Sequence, residues 1–294
     1  MSCSLDAEAA AQPHGEYQAL PCLRRAAALS PADASRWTLL GQIESRVGDL
    51  AASVSSLGRA VKLSGSGQTA VELGSAFAAL GKPDRAIGAY ALAVRLGGGH
   101  AAWFALGVAL GRAQHATRAR SAFLAAVALV PSHAQTHRAL AITETMLGNS
   151  KQAVVSLRLA LRLAPDYDDA QFELAVALQH TAQPFAALKE YDGLLTRAPA
   201  HASAHVNRGT VLRDLARVAE AAEAYTAAIR LKPTFPEVYN NLAVLARQAG
   251  GDAEALALFR QALACGPDAL MPLGGEATVL SNLAGSGLPT LRPE

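Results

Sequence analysis

The sequence is poor in the residues and motifs that mark disulfide-rich, metal-binding and membrane proteins. Only three of its 294 residues are cysteines, and Cys3, Cys22 and Cys265 are too scattered for a disulfide framework or a metal cluster. Charged residues make up 17% and the net charge is +2, so no strong field attracts nucleic acid or anionic lipid. No apolar run approaches the ~18 residues of a membrane span, and the amino terminus shows no secretory signal. These absences favour a soluble cytoplasmic protein that needs no cofactor, binds no nucleic acid and does not insert directly into a membrane.

What the sequence does have is a period. Five of its 14 prolines stand 34 residues apart, namely Pro131, Pro165, Pro199, Pro233 and Pro267. A fixed period between about 20 and 50 residues indicates stacked repeats. We number each repeat so that this proline occupies slot 32; Gly65 and Gly98 fill that slot in the first two repeats. The predicted units are 34–66, 67–99, 100–133, 134–167, 168–201, 202–235 and 236–269.

Two helices are predicted in each unit. The first carries a bulky residue at slot 4 and apolar or small residues at slots 7 and 8, as in Trp37/Leu40/Gly41, Trp103/Leu106/Gly107, His137/Leu140/Ala141 and Tyr239/Leu242/Ala243. This i, i+3, i+4 spacing forms one face of an α-helix. Glycines at slot 15 then predict a turn, at Gly48, Gly81, Gly148 and Gly250. We expect the polar residues that follow to cap the second helix, namely Asp49, Asp84, Ser150 and Asp252.

The second helix alternates small and large residues. Slot 20 is small in every unit, and slot 27 is alanine except at Leu194. Slot 24 is bulky, at Leu57, Tyr90, Phe123, Leu157, Tyr191, Tyr225 and Phe259. A small residue lets two backbones approach, and the large residue one turn later fills the space beside it. A leucine at Ala126 or Ala160 should therefore overpack the contact between helices.

This pattern of slots resembles the tetratricopeptide repeat, over about residues 34–267. The resemblance implies an all-α fold: a right-handed superhelical solenoid of antiparallel helix pairs, in which the first helices line a concave groove. The unit 202–235 resembles repeats of O-GlcNAc transferase and of ciliary trafficking-coat subunits. The second likeness adds a ciliary location to the cytoplasmic expectation.

The two ends depart from the pattern. We interpret residues 1–15 as a flexible leader and 16–33 as a degenerate half-repeat, with Ala19, Leu23 and Ala26 in slots 20, 24 and 27. Because proline is disfavoured inside a helix, Pro21 predicts that this helix begins late. Residues 270–294 are predicted to hold a capping helix, at 276–283, and a mobile tail, since a repeat stack otherwise ends in an exposed apolar face.

Candidate binding residues come from the resemblance, because slots 2, 5, 6, 9, 12 and 13 of the first helix face the groove in this family. The middle units place an apolar strip with interleaved polar residues on those slots: Phe104, Val108, Arg112, Arg138, Ile142, Met146, Phe172, Glu173, Val176 and His180. A helix or an extended peptide could dock on such a strip. The alternative is that these side chains contact only one another.

Two later units carry amides instead. Asn207 and Asn241 share slot 6, and Asn240 precedes the second of them. Side-chain amides can grip a peptide backbone through both donor and acceptor, and the resemblance to O-GlcNAc transferase implies such a use; the alternative is that they are solvated or locally bonded. The family's clamp for chaperone carboxyl-terminal tails needs basic groups at positions that Phe172, Glu237 and Asn241 occupy here, so that ligand is not expected.

Catalytic and metal motifs are missing. The sequence shows no nucleophile paired with a base and no Gly-x-Ser-x-Gly elbow, and the run Gly97–Gly99 lacks the strand and the Lys-Ser/Thr of a phosphate loop. His133/His137 and His201/His205 have the i, i+4 spacing of metal ligands, but both pairs fall on the same repeat slots and no third ligand accompanies them. We therefore predict that the chain is not an enzyme and holds no metal.

Two functional hypotheses follow. The first is a non-catalytic scaffold or adaptor that binds a peptide or helix of a partner in its concave groove, as a subunit of a multiprotein assembly. The second is the substrate-selecting arm of an enzyme complex whose catalytic part, for example a glycosyltransferase, is a separate chain. Direct enzymatic activity is a weaker third interpretation.

Overall fold

The computed structural model describes residues 13–265, and this part of the chain contains fifteen α-helices and no strand. The helices are α1 (Pro13–Leu29), α2 (Ala34–Arg46), α3 (Leu50–Ser64), α4 (Gly67–Ala79), α5 (Pro83–Arg95), α6 (Gly99–Arg112), α7 (Ala116–Leu129), α8 (Ala134–Met146), α9 (Ser150–Leu163), α10 (Asp168–His180), α11 (Pro184–Arg197), α12 (Ala202–Asp214), α13 (Val218–Leu231), α14 (Pro236–Gln248) and α15 (Asp252–Ala264). The predicted capping helix and tail lie outside the described residues, as does most of the predicted leader.

The helices pack as the predicted pairs. The described residues divide between Ala164 and Pro165 into an N-terminal and a C-terminal body. In the N-terminal body α2 packs on α3, α4 on α5, α6 on α7 and α8 on α9; in the C-terminal body α10 packs on α11, α12 on α13 and α14 on α15. A three-residue turn joins the helices of every pair, so the two helices run antiparallel. The all-α fold of antiparallel helix pairs is confirmed.

The turns share one backbone conformation, which the glycines indicated only in part. Slot 15 has a positive φ at Gly48, Gly81, Gly148 and Gly250, and also at Gln114, Ala182 and Ala216, where the sequence has no glycine. In six of the seven units the next N–H bonds back to the slot 11 carbonyl, for example from Lys82 to Phe77 at 2.9 Å and from Asn149 to Glu144 at 2.8 Å. These turns are Schellman-type ends of the first helices.

This turn explains why three of the four expected caps are wrong. Slot 16, which follows the left-handed residue, is the N-cap of the second helix. Asp49 occupies that slot, and its carboxylate accepts a hydrogen bond from the Ala52 N–H at 3.2 Å, as expected. Asp84, Ser150 and Asp252 lie one or two residues further on, already inside their helices. Their N-cap residues are Lys82, Asn149 and Gly251, and none of these makes a side-chain cap.

The core slots of the second helices are confirmed. Every slot 20, 24 and 27 residue of the seven units is buried, and Tyr191, Tyr225 and Phe259 have no exposed surface. The slot 24 side chain lies over slot 8 of the first helix. A Cβ built on Gly107 would come within 2.6 Å of the Phe123 ring, so a side chain has no room there.

The half-repeat is helical but differs from its prediction. Helix α1 starts at Pro13, so Pro21 lies inside the helix and does not delay its start. The predicted slots are met in part: Ala19 is buried, and the half-buried Leu23 packs against Leu20, Ala27, Leu40 and Ile43. Ala26 is only half-buried, and its neighbour Ala27 has no exposed surface.

Candidate functional site

Phe104 is the centre of an aromatic cluster on the first helix of unit 100–133. Its half-buried ring lies 5.9 Å from Phe123, 5.7 Å from His133 and 6.0 Å from His100, measured between ring centroids. The slot 24 residue Phe123 belongs to the core, so it fixes the side of Phe104 that faces inward. The opposite side remains available to line a surface cavity.

A cavity of about 320 Å³ opens beside Phe104, between α4, α5 and α6. Three of the predicted binding residues, Phe104, Val108 and Arg112, line it together. Tyr90, Pro83 and the small side chains Ala78, Ala86, Ala105 and Ala109 complete the lining. Four of the nine lining residues are alanines, whose short side chains leave the space open. An apolar cavity with one polar group at its edge has the form of a ligand site.

Arg112 is the polar group of this cavity. It is exposed and ends α6, and no hydrogen bond or ion pair joins it to another residue between 13 and 265. Ile142 and Met146 lie exposed on α8, with 41% and 43% of their surface accessible, and Arg138 is half-buried on the same helix. The N-terminal body therefore presents apolar and basic side chains on the slots that the resemblance assigns to the groove.

Two histidines meet beside this cluster, an arrangement that the sequence did not indicate. The His100 Nε2 and His133 Nδ1 atoms lie 2.9 and 2.8 Å from the Thr136 hydroxyl, and the two rings are 4.5 Å apart. Thr136 is fully buried. Burial lowers the pKa of His100 below 6.5, and the neighbouring His133 lowers it further. Because the threonine has one proton to donate, at most one of the two histidines can accept from it, and at least one must donate to its oxygen.

The i, i+4 histidine pairs do not converge on a common point. The His137 Nε2 lies 2.8 Å from the Pro131 carbonyl, and the His205 Nε2 lies 3.0 Å from the Pro199 carbonyl. The Trp37 Nε1 makes the same bond to Pro31, at 3.2 Å. A slot 4 side chain thus donates to the proline carbonyl of the preceding repeat. In this role histidine replaces tryptophan.

The C-terminal body repeats the aromatic cluster around Phe172. Its ring centroid lies 6.1 Å from Tyr191 and 4.9 Å from His201, onto which it stacks. Val176 and Glu173 are half-buried on the same helix, and His180 is exposed at its end. The structure thus brings Phe172 together with a core aromatic and a histidine, as it does Phe104.

The predicted amides have different surroundings. Asn207 is half-buried and hydrogen-bonds to the Tyr191 hydroxyl, which also donates to Gln179. Burial raises the pKa of Tyr191. Asn240 and Asn241 are half-buried on α14. Asn207 therefore has a local partner, which is the alternative that the sequence left open for it, and a role of these amides toward a peptide stays a prediction.

Two buried carboxylates also have local partners. Glu44 and Glu144 both occupy slot 11 and are at most 3% exposed. Glu44 accepts from Arg24 Nε at 3.0 Å and from Ser56 at 2.7 Å. Glu144 accepts from Arg120 Nε and Asn149, both at 2.7 Å. Since removing one partner of a buried ion pair is costly, these arginines hold neighbouring helices together.

Metal-binding clusters and membrane-spanning helices are both absent from residues 13–265. Within residues 13–265 no group of three or more His, Cys, Asp or Glu side chains could hold a metal ion. None of the described helices combines the length and hydropathy needed to cross a bilayer.

The sequence matches a family model, and the fold matches solved structures. A sequence model described as "Tetratricopeptide repeat" matches residues 38–103, 71–134, 104–168, 182–236 and 206–269. No curated protein matches the chain significantly in sequence. Among solved structures, MamA is 22% identical with a TM-score of 0.53, over 54% of this chain and 94% of MamA.

Two further structures share the fold. YrrB, described as a TPR protein with an unusual peptide-binding site, is 19% identical with a TM-score of 0.50, over 60% of this chain and 91% of YrrB. The Cut9–Hcn1 hetero-tetramer of the APC/C has a chain that is 16% identical with a TM-score of 0.55, over 84% of this chain and 46% of that one. These identities support a common fold and no more. The sequence model covers well over half of the chain, and the chain therefore belongs to the tetratricopeptide repeat family.

Proposed function

We propose that this chain is a non-catalytic interaction scaffold that binds a peptide or helix of a partner protein. The binding surface is the first-helix face, which comprises slots 2, 5, 6, 9, 12 and 13 of the first helices. The observation that carries the proposal is the apolar cavity lined by Phe104, Val108 and Arg112. It lies on slots that face the groove in this family, and it combines apolar walls with a charged edge. Contiguous apolar surface of this kind is uncommon on soluble proteins unless it binds something.

The similar structures support this proposal. YrrB is described as having a peptide-binding site, and the Cut9–Hcn1 structure is an assembly of several chains. We extend these properties to the present chain as a subunit or adaptor of a cytoplasmic multiprotein assembly. Its repeats are those of a family whose members are generally scaffolds, and its cavity holds no pairing of a nucleophile with a base.

A second candidate is the substrate-selecting arm of an enzyme complex. Asn240 and Asn241 favour it, because they place amide groups on the first-helix face of α14. Asn207 supports it less, since its amide already bonds to Tyr191. Purification of the native complex separates the candidates: a catalytic chain that copurifies in stoichiometric amount would favour the second, and structural subunits alone would favour the first.

Selection from a peptide display library tests the main proposal. The wild-type chain should enrich peptides that lose binding to the variants Phe104→Asp and Val108→Asp. The matched control is Val155→Asp, which changes a 59%-exposed valine on the second helix α9 and should bind like wild type. Circular dichroism and thermal melting would verify that the variants stay folded. If folded variants retain the enriched peptides, the first-helix face is not the site.

A further inference from the structure

The cavity beside Phe104 restricts what a bound peptide can place there. Its volume of about 320 Å³ is at the lower end of the range for ligand pockets, which is roughly 300–1,000 Å³. The walls are the Tyr90 and Phe104 rings, Val108 and small alanines. These groups offer carbon surface to an occupant, so the part of the ligand that enters should be one bulky apolar side chain.

Arg112 is the only charged residue that lines the cavity, and Asp84 and Arg85, which follow the lining residue Pro83, are exposed on α5. Arg112 is the only Lys, Arg, Asp or Glu on α6. On slots 5, 6, 9 and 13 of units 100–133 and 134–167 the side chains include Arg112 and Arg138 and no carboxylate. The carboxylate of α4 is turned elsewhere, because Glu72 Oε1 accepts a hydrogen bond from Gln42 of α2 at 2.8 Å. Arg85 on α5 lies over the Phe77 ring, 6.0 Å from its centroid. Arg112 is therefore the charge that a ligand in the cavity meets.

We propose that the cavity recognises an apolar residue followed or preceded by an acidic one in a partner peptide. The apolar side chain enters between Tyr90, Phe104 and Val108, and the neighbouring carboxylate pairs with the Arg112 guanidinium. This inference rests on the proposed peptide-binding function and adds the chemistry of the peptide. A guanidinium can hold a carboxylate through two parallel hydrogen bonds, which gives orientation as well as attraction.

A charge reversal at Arg112 is the sharpest test. One display library is selected in parallel against the wild-type full chain, Arg112→Glu and Arg118→Glu. Arg118 is exposed on α7 and does not line the cavity, so its reversal controls for net charge. Wild type and Arg118→Glu should enrich apolar–acidic pairs, whereas Arg112→Glu should enrich apolar–basic pairs. Since Arg112 is exposed, this variant is expected to fold normally.

Filling the cavity tests whether an apolar side chain of the peptide enters it. Ala78 is exposed and lines the cavity, whereas its neighbour Ala79 is exposed and does not. Ala78→Leu should raise the Kd of an enriched peptide about tenfold, measured by fluorescence anisotropy. Ala79→Leu should leave its Kd unchanged. Equal loss in both variants, or in neither, would overturn the placement of the apolar side chain.

The outcomes of the selection are distinct. If wild type and Arg112→Glu enrich the same peptides, the proposed specificity is wrong but peptide binding stands. If neither protein enriches any peptide, both the inference and the proposed function fail. Displacement of an enriched peptide by decanoate would assign the cavity to a small apolar acid, and concentration-dependent dimerisation abolished by Ala78→Leu would assign it to a second copy. Either result would overturn the proposal.

Discussion

Units 100–133 and 168–201 build the same surface feature on different cores. Each places a phenylalanine of the first helix between a slot 24 aromatic and the histidine that precedes the next helix: Phe104, Phe123 and His133 in one, Phe172, Tyr191 and His201 in the other. The phenylalanine-to-aromatic distances are 5.9 and 6.1 Å. Two units can therefore have the same residue type on the first-helix face while the core residues beneath it differ.

The two cores differ at the small slots. In unit 100–133 slot 8 is Gly107, and the Phe123 ring occupies the space where a Cβ would lie. In unit 168–201 slot 8 is Ala175, so the Tyr191 ring must lie differently, and its hydroxyl bonds to Gln179 on slot 12. The tyrosines that face a glycine, Tyr90 and Tyr225, bond instead to hydroxyls on slot 9. One methyl group at slot 8 thus accompanies a change in the polar partner of the core tyrosine.

Slot 27 gives the largest expected effect, because it is leucine in one unit and alanine in the other. Leu194 has no exposed surface. Leu194→Ala should leave a cavity and lower the free energy of unfolding by about 2–5 kcal/mol, measured by urea denaturation. Leu231→Ala, at a position 43% exposed in the same body, is the control and should cost much less. Equal effects of the two changes would contradict the assigned core.

The reverse change should also destabilise, by a smaller amount. Ala126 and Ala160 fill slot 27 in the N-terminal body, and neither has exposed surface. Ala126→Leu and Ala160→Leu should each overpack the helix contact and cost about 1–3 kcal/mol. The control is Ala128→Leu, at an exposed position of α7. An unchanged melting temperature in the slot 27 variants would mean that the two cores do not differ as described.

Slot 15 should respond alike in both units. Gln114 and Ala182 both adopt a positive φ, at 61° and 55°, which disfavours any side chain. Gln114→Gly and Ala182→Gly should each raise the free energy of unfolding by about 1 kcal/mol, because glycine has no steric penalty there. Gly81→Ala, in the equivalent turn, should lower it by a similar amount. A loss of stability in the two glycine variants would contradict the left-handed turn.

The smallest expected effect is a pH dependence of stability in unit 100–133. Its slot 1 residue is His100, whereas slot 1 of unit 168–201 is Asp168. The folded chain lowers the pKa of His100 below 6.5, so the unfolded chain binds its proton more readily. The stability from neutral His100 is fully present above about pH 6.5 and is lost as the pH falls through the folded pKa.

Thermal melts between pH 7.5 and 5 measure this contribution. His100→Gln should melt with a weaker dependence on pH than wild type, because the titrating group is gone. Thr136→Ser keeps the hydroxyl and should retain the wild-type profile. If His100→Gln and wild type lose stability in parallel on acidification, another group is responsible.

The period and the core slots could be predicted because each unit supplies an independent copy of the same pattern. Seven buried side chains at slot 24 confirm one assignment seven times. The fold class and the pairing of helices followed from that pattern. Of the residues predicted for the groove from their slots, Phe104, Val108 and Arg112 line one cavity, and their role in binding stays a prediction.

The features that were missed depend on contacts between residues far apart in sequence. His100 and Thr136 meet only because α6 and the start of α8 lie side by side. The bond between Asn207 and Tyr191 likewise joins two helices. The helix caps failed for a local reason, since the first helix ends in a six-residue hydrogen-bonded turn that fixes slot 16 as the N-cap. The prediction that Pro21 delays the start of α1 was wrong because the packing of α1 on α2 outweighs the low helix propensity of proline. The Tyr17 hydroxyl also anchors α1, since it donates to the Val47 carbonyl at 2.9 Å.

Hydrogen–deuterium exchange with and without an enriched peptide tests the central claim most directly. If the cavity binds the partner, the peptide should slow exchange in α4, α5 and α6, the three helices that line it. It should leave exchange in α7, whose core slots Ala119, Phe123 and Ala126 are already buried, nearly unchanged. Protection confined to α7 and α9, with α4, α5 and α6 unaffected, would contradict the account.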